Sequence, residues 1–229
     1  MKSNKSRLLL NAASLLILLC MAVVTVHAAT QIPLTGGGTI ELAPGSNPPG
    51  LSQFIAQVEN GSENQIAGLF VKNIFSYPVI QQPGGMPAYV STQVDTITQF
   101  GFASDYGSLG FLAHNNLAGA KFSEIAIGDL VTVVYGDGHI DQYQVAQTRS
   151  FQAVQPDNPY TSFIDLSNNQ SLTVEDVFYQ TYGVSDQLIL QTCIASGGNG
   201  SWGRLFVIAT PYVPVAAKIT LPVVAAAAH

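Results

Sequence analysis

The chain has 229 residues, of which 47% are hydrophobic and 10% charged, and its formal net charge is −6. This acidic balance argues against binding to nucleic acids, whose phosphates attract basic patches, and against docking on anionic lipid through a basic surface. The length is sufficient for one substantial domain.

The N-terminus has the organisation of an export signal. Three basic residues precede an apolar run from Leu8 to Val26, and Val26-His27-Ala28 has the small-residue character of a signal-peptidase site. We therefore assign residues 1–28 to a signal peptide or an uncleaved signal anchor, because the run is close to the roughly 20 residues that span a bilayer. Beyond it remain 5 basic and 14 acidic residues, a net charge of −9. We expect an extracytoplasmic protein, secreted or anchored to the outer face of the cytoplasmic membrane.

The remaining chain is predicted to be mainly β. Residues 29–50 form a Gly/Pro-rich linker, 51–215 a folded domain and 216–229 a tail to which we assign no function. We predict seven or eight strands, the clearest at 66–77, 88–100, 110–114, 129–135, 140–148, 185–194 and 204–213. Short helices are predicted at 51–58, 117–127 and 172–179, the last capped by Ser171 or Thr173. Asp137-Gly138 marks a hairpin between the fourth and fifth strands.

The last two strands carry the most informative pair of residues. They are joined by Ser196-Gly-Gly-Asn-Gly-Ser201, and a hairpin symmetric about Gly198–Asn199 places Cys193 opposite Arg204. Directly opposed residues project from one face with Cβ atoms about 5 Å apart. A neighbouring guanidinium favours the thiolate, which is the nucleophilic form of cysteine. Because Arg204 begins a strand beside a glycine-rich loop, we expect its truncation to cost about 1 kcal/mol or less.

A cysteine in an apolar strand is more often a small buried hydrophobe than a nucleophile. The chain contains two cysteines, Cys20 in the signal and Cys193. If the signal is cleaved, Cys193 is the only one left, so no disulfide within one mature chain and no zinc cluster of cysteines can form. A lone thiol in an exported protein points to reactivity.

A thiolate nucleophile needs a proton donor for its leaving group, usually histidine. Of the four histidines, His27 lies in the signal, His229 is the last residue and His139 sits in the predicted turn. His114 remains, at the end of a strand and the start of a polar loop, where a half-buried structural histidine is the alternative. Its position before the cysteine argues against papain-like hydrolases.

Leu190-Gln-Thr-Cys193 with Arg204 resembles the Leu-x-Thr-Cys…Arg signature of sortases, and Leu112-Ala-His114 resembles their histidine segment. The resemblance runs from residue 66 to 212. One position departs from the family: Ile189 stands where sortases usually place threonine or serine. The resemblance implies an all-β fold, a closed eight-stranded barrel with two or three short helices.

The resemblance also implies a cysteine transpeptidase that cleaves a sorting signal on an exported protein. By position, Cys193 is the nucleophile, His114 the general acid and base, and Arg204 the group that stabilises the substrate oxyanion. Weaker substrate-binding candidates are Thr192, Ala113, Asn115 and Trp202.

The implied partners are exported proteins with a C-terminal sorting signal and an amine acceptor from cell-wall peptide or a pilin lysine. No metal or organic cofactor is required; some sortases bind calcium, but the acidic residues here form no recognisable calcium loop. Two alternatives stay open. One is a sortase-fold protein that binds peptides without turnover, and the other an L,D-transpeptidase-like cysteine enzyme, in which His-Gly would precede the cysteine.

Overall fold

The computed structural model describes residues 50–213 apart from Pro87 and Pro159; the predicted signal, nearly all of the linker and the tail lie outside the described residues. The described strands are β1 Ile66–Val71, β2 Phe75–Gln81, β3 Ile97–Phe100, β4 Leu109–Leu112, β5 Leu130–Tyr135, β6 Ile140–Ala153, β7 Phe163–Asp165, β8 Ser171–Leu172, β9 Leu188–Ser196 and β10 Asn199–Pro211. Two α-helices, α1 Leu51–Val58 and α2 Val174–Thr181, and two 3₁₀ helices, Gly101–Tyr106 and Ala118–Glu124, complete this part of the chain.

Eight of these strands close into a barrel. Their order is β10-β9-β4-β3-β2-β1-β5-β6, and a further pairing between β10 and β6 completes the ring. The β2–β3 and β4–β9 pairs are parallel and the other pairs of the ring are antiparallel. β7 and β8 extend from β6 outside the ring. Closure pairs both edges of every barrel strand, and it confirms the predicted closed eight-stranded architecture with few short helices.

Strand alternation sorts the apolar side chains onto two faces. One cluster draws on all eight ring strands, with Leu69, Phe111 and Val207 among its members, and fills the barrel interior. A second cluster lies on the outer face of β3, β4, β6, β9 and β10 and includes Ile189 and Phe206, with α2, β7 and β8 packed over it. Side chains that share the parity of Ile189 and Phe206 therefore face this covered outer surface, not the interior.

Two predicted strands differ from the structure in number or pairing, and β6 and β10 also extend well beyond their predicted bounds. The segment 66–77 forms two strands, because the chain reverses between Val71 and Phe75 with Asn73 in the left-handed region (φ 64°). Of residues 88–100 only Ile97–Phe100 pairs as a strand. The preceding residues form a loop held by side-chain hydrogen bonds. The short strands β7 and β8 were not predicted, since three and two residues give no alternation to detect.

The other local predictions agree with the structure more closely. Helix α1 has the predicted bounds. Helix α2 begins after Thr173, whose hydroxyl accepts the Asp176 N–H in a capping box, and it continues two residues beyond the predicted end, to Thr181. The β5–β6 hairpin turns where expected, with Gly138 at φ 87°. Among the residues described, no helix is both long and apolar enough to span a membrane.

Candidate active site

The β9–β10 hairpin brings Cys193 and Arg204 together by a route that differs from the predicted one. Ser196 pairs with Asn199, so the turn residues are Gly197 and Gly198, both with positive φ (59° and 81°). The turn is thus one residue earlier than expected. Between Asn199 and Gly203, however, β10 has three intervening residues where β9 has one. This bulge shifts the register so that Cys193 lies opposite Arg204, and the predicted opposition is confirmed.

Backbone carbonyl groups at the bulge also accept hydrogen bonds from two side chains of the site. Arg204 Nη1 donates to the carbonyl oxygens of Ser201 (3.0 Å) and Gly203 (2.8 Å). Asn115 Nδ2 donates to the carbonyl oxygen of Gly200 at 3.1 Å. One irregular stretch of β10 therefore fixes the guanidinium and ties the hairpin to the loop that follows His114.

Arg204 is far more buried than its place in the sequence suggested. Its exposed fraction is 1%, and its guanidinium carbon lies 6.0 Å from the centre of the Phe163 ring on β7. Phe151 on β6 is its register partner on the other side. Burial lowers the pKa of Arg204 to about 10, because desolvation penalises the charged form, so the group stays protonated at neutral pH. This burial contradicts the premise of the small expected cost of truncation, which was the position of Arg204 at a strand start beside a glycine-rich loop.

Cys193 occupies the same outer face. Its exposed fraction is 7%, and it shares strand parity with Ile189. The structure carries Cys193 in a disulfide-bonded form. The nucleophile assigned from the sequence is the reduced form of Cys193.

His114 reaches this face from the neighbouring strand. β4 runs parallel to β9 with Leu112 level with Gln191. The alignment continues past the end of β4, because the Ala113 N–H donates to the Gln191 carbonyl (3.2 Å) and Thr192 Oγ1 donates to the Ala113 carbonyl (2.9 Å). Extending the register by two residues puts His114 level with Cys193. Desolvation lowers the pKa of His114, and a hydrogen bond with the Val90 backbone opposes this shift in part.

A tight turn holds the His114 backbone. Its carbonyl oxygen accepts the N–H groups of Leu117 and Gly119, each at 3.0 Å. A Cβ at Gly119 would lie 2.7 Å from the Ala113 carbonyl oxygen and 2.8 Å from that of His114. It would come closer still to Thr192 Oγ1. Only glycine permits the second 3₁₀ helix to lie this close to the end of β4.

The result is a row of side chains on adjacent strands. His114, Cys193, Arg204 and Phe151 follow one another across β4, β9, β10 and β6 on the outer face. Neighbouring strands are about 4.8 Å apart. The cysteine therefore has an imidazole on one side and a guanidinium on the other.

The four weaker candidates have different surroundings. Thr192 and Ala113 are buried, and the hydroxyl of the first bonds the carbonyl of the second. Asn115 is half-buried and bonded to the bulge, and Trp202 is half-buried within the bulge itself. Asn115 and Trp202 are the more open to a ligand.

His139 lies away from this row, at the β5–β6 turn. Its ring stacks on Tyr135 with 3.9 Å between centroids and pairs with Asp137. Within the described part of the chain, no group of three or more His, Cys, Asp and Glu side chains is arranged to hold a metal ion.

Three contributors to the site were not singled out from the sequence. Phe151 lay beyond the predicted end of its strand, Phe163 belongs to a strand of three residues, and Val90 lies in a loop that was predicted to be a strand. Periodicity offered a signal only for Phe151, through the length of β6.

No family model matches the chain, and no curated protein does. Solved structures that resemble it include several sortases. Sortase C1 of Streptococcus agalactiae, in complex with MTSET, is 17% identical over 70% of this chain and 75% of its own, with a TM-score of 0.41. Sortase A of Listeria monocytogenes is 12% identical over 65% and 88%, with a TM-score of 0.41. Sortase C of Clostridium perfringens SM101 is 13% identical over 72% and 86%, with a TM-score of 0.40.

Proposed function

We propose that the protein is an extracytoplasmic sortase-type cysteine transpeptidase. It cleaves a sorting-signal peptide on an exported protein and transfers the acyl group to an amine. The observation that supports this most strongly is the row of His114, Cys193 and Arg204 on one face of three adjacent strands.

The first half-reaction forms a thioester. The Cys193 thiolate attacks the scissile carbonyl, and the positive charge of Arg204 stabilises the oxyanion that develops. The intermediate collapses with cleavage of the C–N bond, and the His114 imidazolium gives its proton to the departing amine. Two hydrogen bonds from Arg204 Nη1 to backbone carbonyls restrict the movement of the guanidinium.

The second half-reaction restores the enzyme. An acceptor amine, from cell-wall peptide or a pilin lysine, attacks the thioester carbonyl, and neutral His114 takes its proton. The new amide leaves and Cys193 returns to the thiolate. No redox change and no cofactor is needed for this exchange.

The decisive experiment supplies both substrates to the purified, reduced protein. A library of sorting-signal peptides is incubated with an amine, and mass spectrometry detects the new amide. Cys193→Ala and His114→Ala should abolish the product without loss of folding. His139→Ala should leave it unchanged, since that ring stacks on Tyr135 at the opposite turn.

Three outcomes would count against this assignment. Equal losses from both histidine variants would mean that the wrong histidine carries the proton. Product formation by Cys193→Ala would remove the nucleophile. Peptide binding without product would favour the sortase-fold binding protein instead.

The proposed location is tested on intact cells. Protease treatment should remove the folded domain from cells that remain sealed, because the export signal directs it outside. A domain that is degraded only after lysis would contradict the proposed location.

A further inference from the structure

Side-chain hydrogen bonds join both neighbours of His114 to the β9–β10 hairpin. Before the histidine, the carbonyl oxygen of Ala113 accepts a hydrogen bond from Thr192 Oγ1 on β9 at 2.9 Å, and both residues are buried. After the histidine, Asn115 Nδ2 donates to the carbonyl oxygen of Gly200 on β10 at 3.1 Å. The second bond lies nearer the surface, because Asn115 is half-buried and Gly200 is exposed.

The end of this hairpin is rich in glycine and has little packed against it. Gly197, Gly198 and Gly200 are exposed, and a Cβ added at any of them would meet no atom within 4 Å other than those of its chain neighbours. Glycine also has the greatest conformational freedom of the backbone. The position of this end therefore depends on a small number of hydrogen bonds, and the bond from Asn115 reaches it from a different strand and loop.

A movement at Gly200 would be transmitted to the guanidinium of Arg204. Gly200 directly precedes Ser201, whose carbonyl oxygen accepts a hydrogen bond from Arg204 Nη1 at 3.0 Å. Ser201 is buried, and its N–H donates to Asn199 Oδ1 at 2.7 Å, so the bulge is also connected internally. The hydrogen bonds of Asn115 and Arg204 therefore act on neighbouring carbonyl groups of one short segment.

We propose that Asn115 is a positioning residue, which keeps the β10 bulge, and with it Arg204, in a fixed place relative to His114. This inference rests on the proposed roles of His114 and Arg204, and it differs from the assignment of Asn115 to substrate binding. Catalysis by positioned groups is sensitive to displacements of about 1 Å. A hydrogen bond that limits relative movement of the acid and the oxyanion-stabilising group therefore contributes to kcat.

The experiment compares Asn115→Ala, which removes the donor, with Asn116→Ala as the matched control, since Asn116 is the same type of residue in the same loop and is exposed. Turnover of the sorting-signal peptide gives kcat and KM for each variant. The reaction of the reduced Cys193 thiol with iodoacetamide is followed over a range of pH. The fluorescence of Trp202, the single tryptophan of the chain, reports on the bulge in which it lies.

We expect Asn115→Ala to lower kcat about 3- to 10-fold with little change in KM. This loss is smaller than the roughly 100-fold that a displacement of about 1 Å can cause, because the bond between Thr192 and Ala113 still holds the other side of the histidine. The emission of Trp202 should change, since the bulge loses one of its contacts. Asn116→Ala should match the unaltered protein in each measurement.

The midpoint of thiol alkylation should rise in Asn115→Ala. The charged or titratable neighbours of Cys193 on the adjacent strands are His114 after β4 and Arg204 on β10. Cationic neighbours lower the pKa of a thiol. When these two groups are held less closely, they stabilise the thiolate less, and alkylation requires a higher pH.

A rise in KM with unchanged kcat would overturn the proposal and make Asn115 a substrate-binding residue. Unchanged emission together with an unchanged alkylation midpoint would also overturn it, as would equal changes in Asn116→Ala. If Asn115→Ala does not fold, Asn115→Ser, whose shorter side chain cannot span the same distance, is measured in the same way, and unchanged values there are equally decisive. Fluorescence and alkylation need no turnover, so they test Asn115 even if the unaltered protein forms no transpeptidation product and the proposed function fails.

Discussion

Gly119 is a position where a single added methyl group should disturb the candidate site. A Cβ there would lie 2.7 and 2.8 Å from two backbone oxygens, those of Ala113 and His114. Ordinary van der Waals contact begins near 3.4 Å. Both oxygens belong to the chain that carries the imidazole, so this backbone or the second 3₁₀ helix must withdraw by roughly 0.6 Å.

The expected magnitude follows from that displacement. Overpacking of this kind costs about 1–3 kcal/mol of stability. A shift approaching 1 Å at a catalytic group costs up to about 100-fold in rate, so Gly119→Ala should lose roughly 10- to 100-fold in kcat. Turnover of the sorting-signal peptide and the melting temperature are measured together.

Gly136→Ala provides the control. Its Cβ would lie 2.7 Å from the Ser62 carbonyl oxygen and would also overlap Asn60, at the β5–β6 turn. Its stability should fall by a similar amount while kcat stays close to the unaltered value. Gly119→Ala turning over within threefold of the unaltered protein would refute the reasoning, as would equal losses of activity in the two variants.

Two other substitutions test the surroundings of the cysteine. Arg204→Lys should lower turnover about 100- to 1000-fold, as the loss of comparable oxyanion donors does. Arg204→Ala should lower turnover as well, and its free energy of unfolding should also fall by about 2–4 kcal/mol, because it removes a buried side chain and two hydrogen bonds to carbonyl groups. Denaturant unfolding measures this second effect. Tyr182→Phe removes the hydroxyl that donates to Gln191 Oε1 at 2.9 Å in the outer-face cluster, and should cost about 1–2 kcal/mol by the same measurement; an unaltered unfolding free energy would show that this buried bond contributes nothing.

The opposition of Cys193 and Arg204 was predictable from the sequence, although the reasoning was partly wrong. The turn lies one residue earlier than assumed, which alone would have paired Cys193 with Trp202. The bulge adds two residues to β10 and restores the predicted register. The glycine-rich composition predicted where the loop lies. The centre of the turn and the bulge could not be predicted, because neither produces a periodic pattern in the sequence.

The barrel was predictable through the sortase resemblance, and the burial of Arg204 was not. The strand β7 that carries Phe163 has three residues, too few for an alternating pattern. No sequence pattern therefore indicated that the side chain of Arg204 would be buried beneath β7. His114 was found by elimination among four histidines, whereas its contact with Val90 depends on a loop path that only the structure defines.

The burial of Arg204 changes what its lysine variant can reveal. The environment that lowers the pKa of arginine to about 10 would lower that of a lysine in the same place, and lysine starts about two units below arginine. A lysine here would therefore lose its charge at a lower pH than the arginine does, and a loss of turnover at one pH would not separate charge from geometry. Measuring Arg204→Lys over a range of pH does separate them. Deficits that remain constant relative to the unaltered protein would assign the role to the planar fork of donors. Recovery as the pH falls, after correction for the His114 and Cys193 titrations, would assign it to the positive charge alone.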